Sequence, residues 1–258
     1  MISAYLRHLW QARDEHALHS PFVYSLYTQA IRSRAKPPAS AHIEALRKTL
    51  RHSGETVQVT DYGAGSRTHN GLVRLVADIA RSAQKPPRYA QLLYRLAQYT
   101  NAKTVLELGT SLGLTTAYLA QAVAETGGQL ISFEGCPNIA DLARRHLTQL
   151  SCGPAEIVTG NLDQTLADRL VNLSPLDLVF FDANHRCEPT LTYFETALAN
   201  AHNDSLFVFD DIHWSADMEQ AWATIQAHSA TRVTIDLFGM GLVFFRREQP
   251  KQHFVLRF

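Results

Sequence analysis

The stretch TVLELGTSLGLTTAYLAQAV (residues 104–123) decides the fold. Its first five residues read as a largely apolar strand, Gly109 and Gly113 bracket a turn, and a helix follows at once. A buried strand that runs through a glycine turn into a helix opens a parallel α/β unit, because parallel strands need a crossover of helical length. The glycines allow a tight turn and bring the backbone close to a ligand at the helix N-terminus.

Downstream the same grammar repeats. Apolar runs occur at QLISFE (129–134), AEIVTG (155–160), LDLVFFD (176–182), SLFVFDD (205–211), RVTIDLF (232–238) and GLVFFR (241–246). Helical segments at 114–125, 137–150, 162–172, 188–201 and 215–228 separate all but the last pair. Only Gly239-Met240 lies between RVTIDLF and GLVFFR, too short for a crossover, so those two pair as an antiparallel hairpin. Five alternating units closed by an antiparallel hairpin resemble the end of a class I methyltransferase, so the expectation is an α/β, Rossmann-like methyltransferase sheet of seven strands, the last antiparallel, with an N-terminal helical extension. A dinucleotide-binding domain would continue parallel.

Upstream, the proline pairs Pro37-Pro38 and Pro86-Pro87 punctuate helical patterns. Ser20-Pro21 reads as an N-cap with proline at the first helical position. Residues 41–52, 68–83 and Tyr89–Tyr99 are also expected as helices. The organisation is a mostly helical N-terminal cap (1–87), a methyltransferase domain (88–247) and a C-terminal tail (248–258). VQVTDYGAGS (57–66) is a second strand-to-glycine-turn pattern, but no second strand with an acidic end follows it. It is read as a structural turn and not as the cofactor site.

Composition narrows the function. Lys+Arg and Asp+Glu both number 24, so no basic field exists to hold a phosphate backbone, and nucleic acid is not an expected partner. Three separated cysteines without a CxxC argue for reduced thiols. Charges interrupt the N-terminal apolar residues, and no run approaches a membrane span. A cytoplasmic protein with no membrane partner is expected; a homodimer is compatible with this reading.

QLISFE ends in Glu134, and an acid at the end of the second strand can accept hydrogen bonds from ribose hydroxyls. The glycine pattern is ExGxxxG and not GxGxxG, so no pyrophosphate needs a cradle, which favours S-adenosylmethionine over NAD. VLELGTSLGLTTAYLA, ISFEGCPNIADLARRHL, LDLVFFDANHRCEPTLTYFE and LFVFDDIHW, with RYAQLLYRLA upstream, resemble successive motifs of the catechol and caffeoyl-CoA type O-methyltransferases. The resemblance spans about residues 88–247. It implies that Glu107, Gly109, Thr110, Ser111 and Gly113 line the methionine part of the cofactor and that Glu134 holds its ribose. It also implies adenine contacts from Leu162 and Asp163, ahead of Asn161, and places Asp182 at the cofactor's edge.

The fourth strand ends in Asp182 and the fifth in Asp210-Asp211, where ligands of open α/β sheets bind. Converging carboxylates repel unless a cation neutralises them, and hard oxygen ligands suit Mg²⁺, Mn²⁺ or Ca²⁺. In the resembling family a metal is held at the positions of Asp182, Asp210 and Asp211. That metal would lower the pKa of an acceptor hydroxyl and orient it toward the methyl group. His185, three residues past Asp182, is the expected base, where the family usually has lysine; an imidazole is closer to working pH than an amine. His213 is a second candidate, for base, metal or substrate contact, with loop capping an equal reading. Tyr5, Trp10, Phe22, Tyr24 and Tyr27 are read mainly as packing of the cap.

The leading expectation is therefore a divalent-metal-assisted O-methyltransferase acting on a small hydroxylated, catechol-like molecule. The alternatives are a metal-free methyltransferase with a histidine base and a non-catalytic S-adenosylmethionine-binding module.

Overall fold

The computed structural model describes residues 2–60, 72–171, 173 and 175–258. The central eight-stranded sheet is assembled from β3 (Thr104–Leu108), β4 (Gln129–Glu134), β5 (Glu156–Thr159), β6 (Leu176–Phe181), β7 (Ala201–Asp210), β8 (Val233–Asp236), β9 (Met240–Phe244) and β10 (Gln252–Val255). Their spatial order is β10-β8-β9-β7-β6-β3-β4-β5. The β3·β4, β3·β6, β4·β5 and β6·β7 pairings are parallel. β9 is antiparallel to both of its neighbours, inserted between β7 and β8. All seven expected strands are present, and the antiparallel one is the seventh in sequence.

The eighth strand corrects the reading of 248–258 as a tail. β10 pairs parallel with β8, Gln252 against Val233 through Val255 against Asp236. The open edge of β8 explains it, since its unpaired backbone groups need partners. The terminal residues are fastened further: Tyr27 Oη donates to the Arg257 carbonyl at 3.0 Å, Arg257 N donates to the Arg13 carbonyl at 3.1 Å, and the Phe258 ring lies 5.0 Å from that of Tyr89.

Helices cover both faces. On one lie α2 (Pro21–Leu26, prolonged by a π-helical turn at Tyr27–Ile31), α3 (Ser40–Leu50), α4 (Val76–Ser82), α5 (Pro87–Tyr99), α6 (Leu114–Thr126) and α7 (Pro137–Leu150). On the other lie α8 (Leu162–Leu170), α9 (Cys187–Leu198) and α10 (Ala216–Ala227). Every residue of α6 from Leu114 to Val123 is buried, so this helix is covered on all sides and carries no polar face, with Thr115, Thr116 and Gln121 buried among its apolar residues. The N-terminal region supplies the cover: Tyr118 Oη donates to Glu44 Oε1 at 2.9 Å, and Ala39 N donates to Gln121 Oε1 at 3.1 Å.

The expected helix at 68–83 is shorter than read. Val73–Leu75 (β2) instead pairs antiparallel with Thr56–Gln58 (β1), and helix begins at Val76. The DYGAGS segment between them lies outside the described residues. α1 (Ile2–Gln11) completes the cap, laying Tyr5 and His8 against Phe238 with ring separations of 4.9 and 5.5 Å. Phe22 packs 5.0 Å from Phe244 and Tyr27 is fully buried, whereas Trp10 and Tyr24 are exposed.

Candidate active site

The glycine turn is built at the C-terminal end of β3. Gly109 has φ +110°, and a Cβ there would lie 2.4 Å from the Asp182 carbonyl oxygen, so only glycine fits. Gly113 has φ +79° and caps α6, with Ala143 of α7 directly against it. Ser111 is also left-handed, at φ 48°, and its N–H donates to Glu134 Oε2 at 2.8 Å. Glu134 Oε1 accepts from Cys136 N at 2.9 Å, so its carboxylate fastens the turn to the end of β4. A carboxylate oxygen can accept more than one hydrogen bond, which leaves a ribose role chemically available to it.

Glu107 is fully buried beneath the turn. Thr116 Oγ1 and Ser132 Oγ donate to its Oε2 at 2.5 and 2.6 Å, and Oε1 has no partner among the described residues. Burial pushes its pKa up to about 8 against the two hydroxyl donors, so the group is largely protonated near neutral pH. Thr110 Oγ1 lies 2.5 Å from Ser132 Oγ and joins the same buried network. A glycine cradle at a helix N-terminus together with an orphaned carboxyl oxygen beneath it fits a nucleoside with an amino-acid end, such as S-adenosylmethionine.

After β5, Asn161 caps α8 by accepting the Asp163 N–H at 3.1 Å. Asp163 Oδ1 accepts the Tyr193 hydroxyl at 2.6 Å, and Leu162 packs partly buried against the core on that face. The expected adenine contacts thus lie at the start of a helix, with Asp163 already serving α9.

The acid cluster forms as the strand order requires. Asp182 follows β6, Asp210 ends β7, and Asp211 follows in left-handed backbone at φ 50°. Asp210 is 1% exposed and no backbone amide serves either of its oxygens. Desolvation raises its pKa well above the usual carboxylate range, and the neighbouring carboxylates Asp182 and Asp211 add to the rise against the pull of Lys85. Asp182 is held below that range: burial opposes its charge, but the Lys85 ammonium and the hydrogen bond from His185 outweigh it. His185 Nε2 stands 3.5 Å from Asp182 Oδ1, and its ring is 5.9 Å from that of Trp214.

Lys85 was not read from the sequence as part of this site. It ion-pairs with Asp210 Oδ2, and its Nζ stands 3.4 Å from Asp211 Oδ1, with the side chain only 13% exposed. Desolvation works against its charge, yet the attraction of Asp210, Asp182 and Asp211 raises its pKa. The neighbouring Gln84 Nε2 donates to Ser111 Oγ at 2.8 Å, so the segment between α4 and α5 reaches both the glycine turn and the acid cluster. The signal available in the sequence was a lone lysine before Pro86-Pro87, immediately ahead of the helix that leads into β3.

Ligand atoms of Asp182, His185 and Asp210 lie within 4.8 Å of one another, a spacing that a cation can bridge. The expected metal set of Asp182, Asp210 and Asp211 is nevertheless occupied on two members by the Lys85 ammonium. With the ammonium on them, Asp210 Oδ2 and Asp211 Oδ1 do not fit a divalent ion.

His213 is engaged elsewhere. Its Nε2 lies 2.7 Å from Asp236 Oδ2, its Nδ1 3.2 Å from Glu219 Oε1, and its ring stacks 5.3 Å from Phe238. Burial disfavours its charge, but Asp236 and Glu219 overcome that and raise its pKa, which suits a charged structural group better than a base. His8 Nδ1 approaches the same Asp236 at 3.2 Å.

Residues 106–212 match the family described as a methyltransferase domain. A catechol O-methyltransferase of Niastella koreensis is 31% identical over 49% of this chain and 57% of its own length. A catechol O-methyltransferase of Mycobacterium tuberculosis is 33% identical over 52% of this chain and 57% of its own length. The chain thus spans just over half the length of these relatives. Among solved structures, an O-methyltransferase from Bacillus cereus in complex with SAH superposes with a TM-score of 0.58 at 18% identity, covering 84% of this chain and 95% of that one. An SAH-bound methyltransferase of Podospora anserina gives 0.60 at 14% identity, covering 88% and 97%. The resemblance to class I S-adenosylmethionine-dependent O-methyltransferases is borne out, and the fold is theirs. Among the described residues no helix is long and apolar enough to cross a membrane.

Proposed function

We propose that the chain is an S-adenosylmethionine-dependent O-methyltransferase acting in the cytoplasm on a small hydroxylated molecule, catechol-like acceptors among them. The supporting observation is the convergence of the glycine turn, Glu134 and the Asp182–His185 pair at the C-terminal ends of β3, β4 and β6. In this reading residues 88–247 carry the chemistry and 1–87 cap the acceptor side.

Gly109, Thr110, Ser111, Gly113 and Glu107 hold the methionine end of the cofactor, Glu134 the ribose, and Leu162 and Asp163 the adenine side. S-adenosylmethionine, when bound, supplies an electrophilic sulfonium methyl. The acceptor hydroxyl is placed against the acid cluster, and its proton goes to His185 Nδ1, the ring nitrogen that does not face Asp182. Asp182 Oδ1, 3.5 Å from Nε2, holds the ring and stabilises the imidazolium that results. A phenol titrates near 10, so both a base and a nearby positive charge aid its ionisation at neutral pH. No step is assigned to a divalent ion, although the resembling family places one here.

Calorimetric titration with S-adenosylmethionine, followed by transfer of an isotopically labelled methyl group to a panel of catechols and other phenols, tests the proposal. Saturable binding with transfer to oxygen is the expected result. Binding without transfer to any acceptor favours the non-catalytic module, and absence of binding removes the reading.

A further inference from the structure

We propose that Lys85 is a built-in cation that stands in for a divalent metal at the acid cluster, so that methyl transfer in this protein is independent of added metal. The inference rests on the methyltransferase reading above for its catalytic half, but the exclusion of metal stands on geometry alone.

Three carboxylates meet at the ends of β6 and β7, and that much negative charge in a buried place demands a counterion. The chain supplies one. Lys85 ion-pairs with Asp210 Oδ2 and reaches Asp211 Oδ1, the oxygens that a metal would require. A divalent ion on those two oxygens must expel the ammonium. Expulsion leaves a buried lysine without its partners, and the backbone around it has little slack. Pro86 and Pro87 fix φ immediately after it, Pro87 opens α5, and Gln84 is tied to Ser111. Asp182 faces the same ammonium and His185, so a positive charge stands on one side of this carboxylate and an imidazole on the other.

The placement also accounts for Asp210. Its side chain is buried, it receives no backbone hydrogen bond, and the lysine is the cation that makes its burial tolerable. In chemical terms Lys85 offers the acceptor oxygen a fixed positive charge without open coordination positions. It can favour an anionic oxygen nearby but cannot chelate two adjacent hydroxyls, so the protein should accept monohydroxylated phenols as readily as catechols.

The test combines Mn²⁺ binding, read by electron paramagnetic resonance, with turnover. Wild-type protein should show no Mn²⁺ bound at this cluster, and its rate in excess chelator should equal its rate with Mg²⁺. Lys85→Ala should open the cluster, binding Mn²⁺ on the order of 10²-fold more tightly than wild type, as expected from removing a unit charge a few ångströms from the ion. Lys85→Arg retains a cation and should still exclude Mn²⁺. Should Lys85→Ala fail to fold, Lys85→Met, which keeps most of the volume, serves in its place. Mn²⁺ bound by the wild type as tightly as by the alanine variant, or loss of wild-type turnover in chelator, overturns the proposal. If no acceptor is methylated, the Mn²⁺ measurements still decide the role of Lys85, while S-adenosylmethionine binding separately decides the functional reading.

Discussion

Two acid groups lie at the C-terminal edge of the sheet, and they are neutralised by different means. At β6 and β7, Asp182, Asp210 and Asp211 are met by one lysine from the segment before α5. At β8, Asp236 is met by two histidines, His213 from the loop after β7 and His8 from α1, and also accepts the Phe238 N–H at 2.7 Å. Asp236 is held far below the usual carboxylate range, chiefly by His213 and His8 against the cost of burial, whereas Asp210 is pushed above it. The difference lies in how completely each carboxylate is served. Asp236 has hydrogen-bond donors on both oxygens; Asp210 has a charge beside it and no backbone donor. The Asp236 arrangement fastens a helix to a hairpin. The Asp210 arrangement keeps a carboxylate responsive to what enters the site.

The largest effect should come from breaking the first group. Asp210→Ala is expected to reduce turnover on the order of 10³-fold, comparable with losing a principal electrostatic contact in an active site. S-adenosylmethionine affinity, measured by calorimetry, should stay nearly unchanged; an equal fall in affinity would show that the acid cluster and the nucleoside site are one unit. His185→Ala should lower single-turnover rates by about 10²–10⁴-fold, and raising the pH should recover part of the loss as the acceptor ionises unaided. Full activity of that variant at neutral pH would remove His185 as the base.

Away from the reacting atoms the effects shrink. Glu134→Ala should weaken S-adenosylmethionine by about 1–3 kcal/mol, the worth of hydrogen bonds to a charged group, and a folded variant with wild-type affinity would exclude Glu134 from the ribose. The second group should show itself mainly in stability. The raised pKa of His213 means that its contribution is fully present below about 6.5 and is lost as pH rises through the higher folded-state value. His213→Gln should therefore cost about 1–2 kcal/mol in urea unfolding near pH 6, with the gap to wild type closing in alkaline buffer. A gap that widens with pH would mean that the imidazole is not charged in the folded protein.

Much of this architecture is legible in the residues. Strands such as TVLEL and LDLVFF are buried almost throughout and read as largely apolar runs, and the two-residue Gly239-Met240 link admits only a hairpin. The acids at strand ends could be placed together because strand order puts them there. Lys85 could not be, since nothing local in GLN-LYS-PRO-PRO order says that its amine reaches a residue 126 positions away. β10 was missed for a related reason: four residues with partly exposed side chains form a strand only because β8 offers an open edge. The helix read over 68–83 yielded at Val73–Leu75 because TVQ across the hairpin competes for the same backbone groups.

That last edge strand has a consequence for the order in which the protein can be completed during synthesis. Tyr27 closes on the Arg257 carbonyl, Arg13 bonds across to Val255 and Arg257, and Tyr89 rests on Phe258. Some residues of the helical cap thus have partners that lie beyond β9 in the sequence. Those pairings span most of the chain, so they close late relative to contacts near in sequence, such as those of β3 with α6.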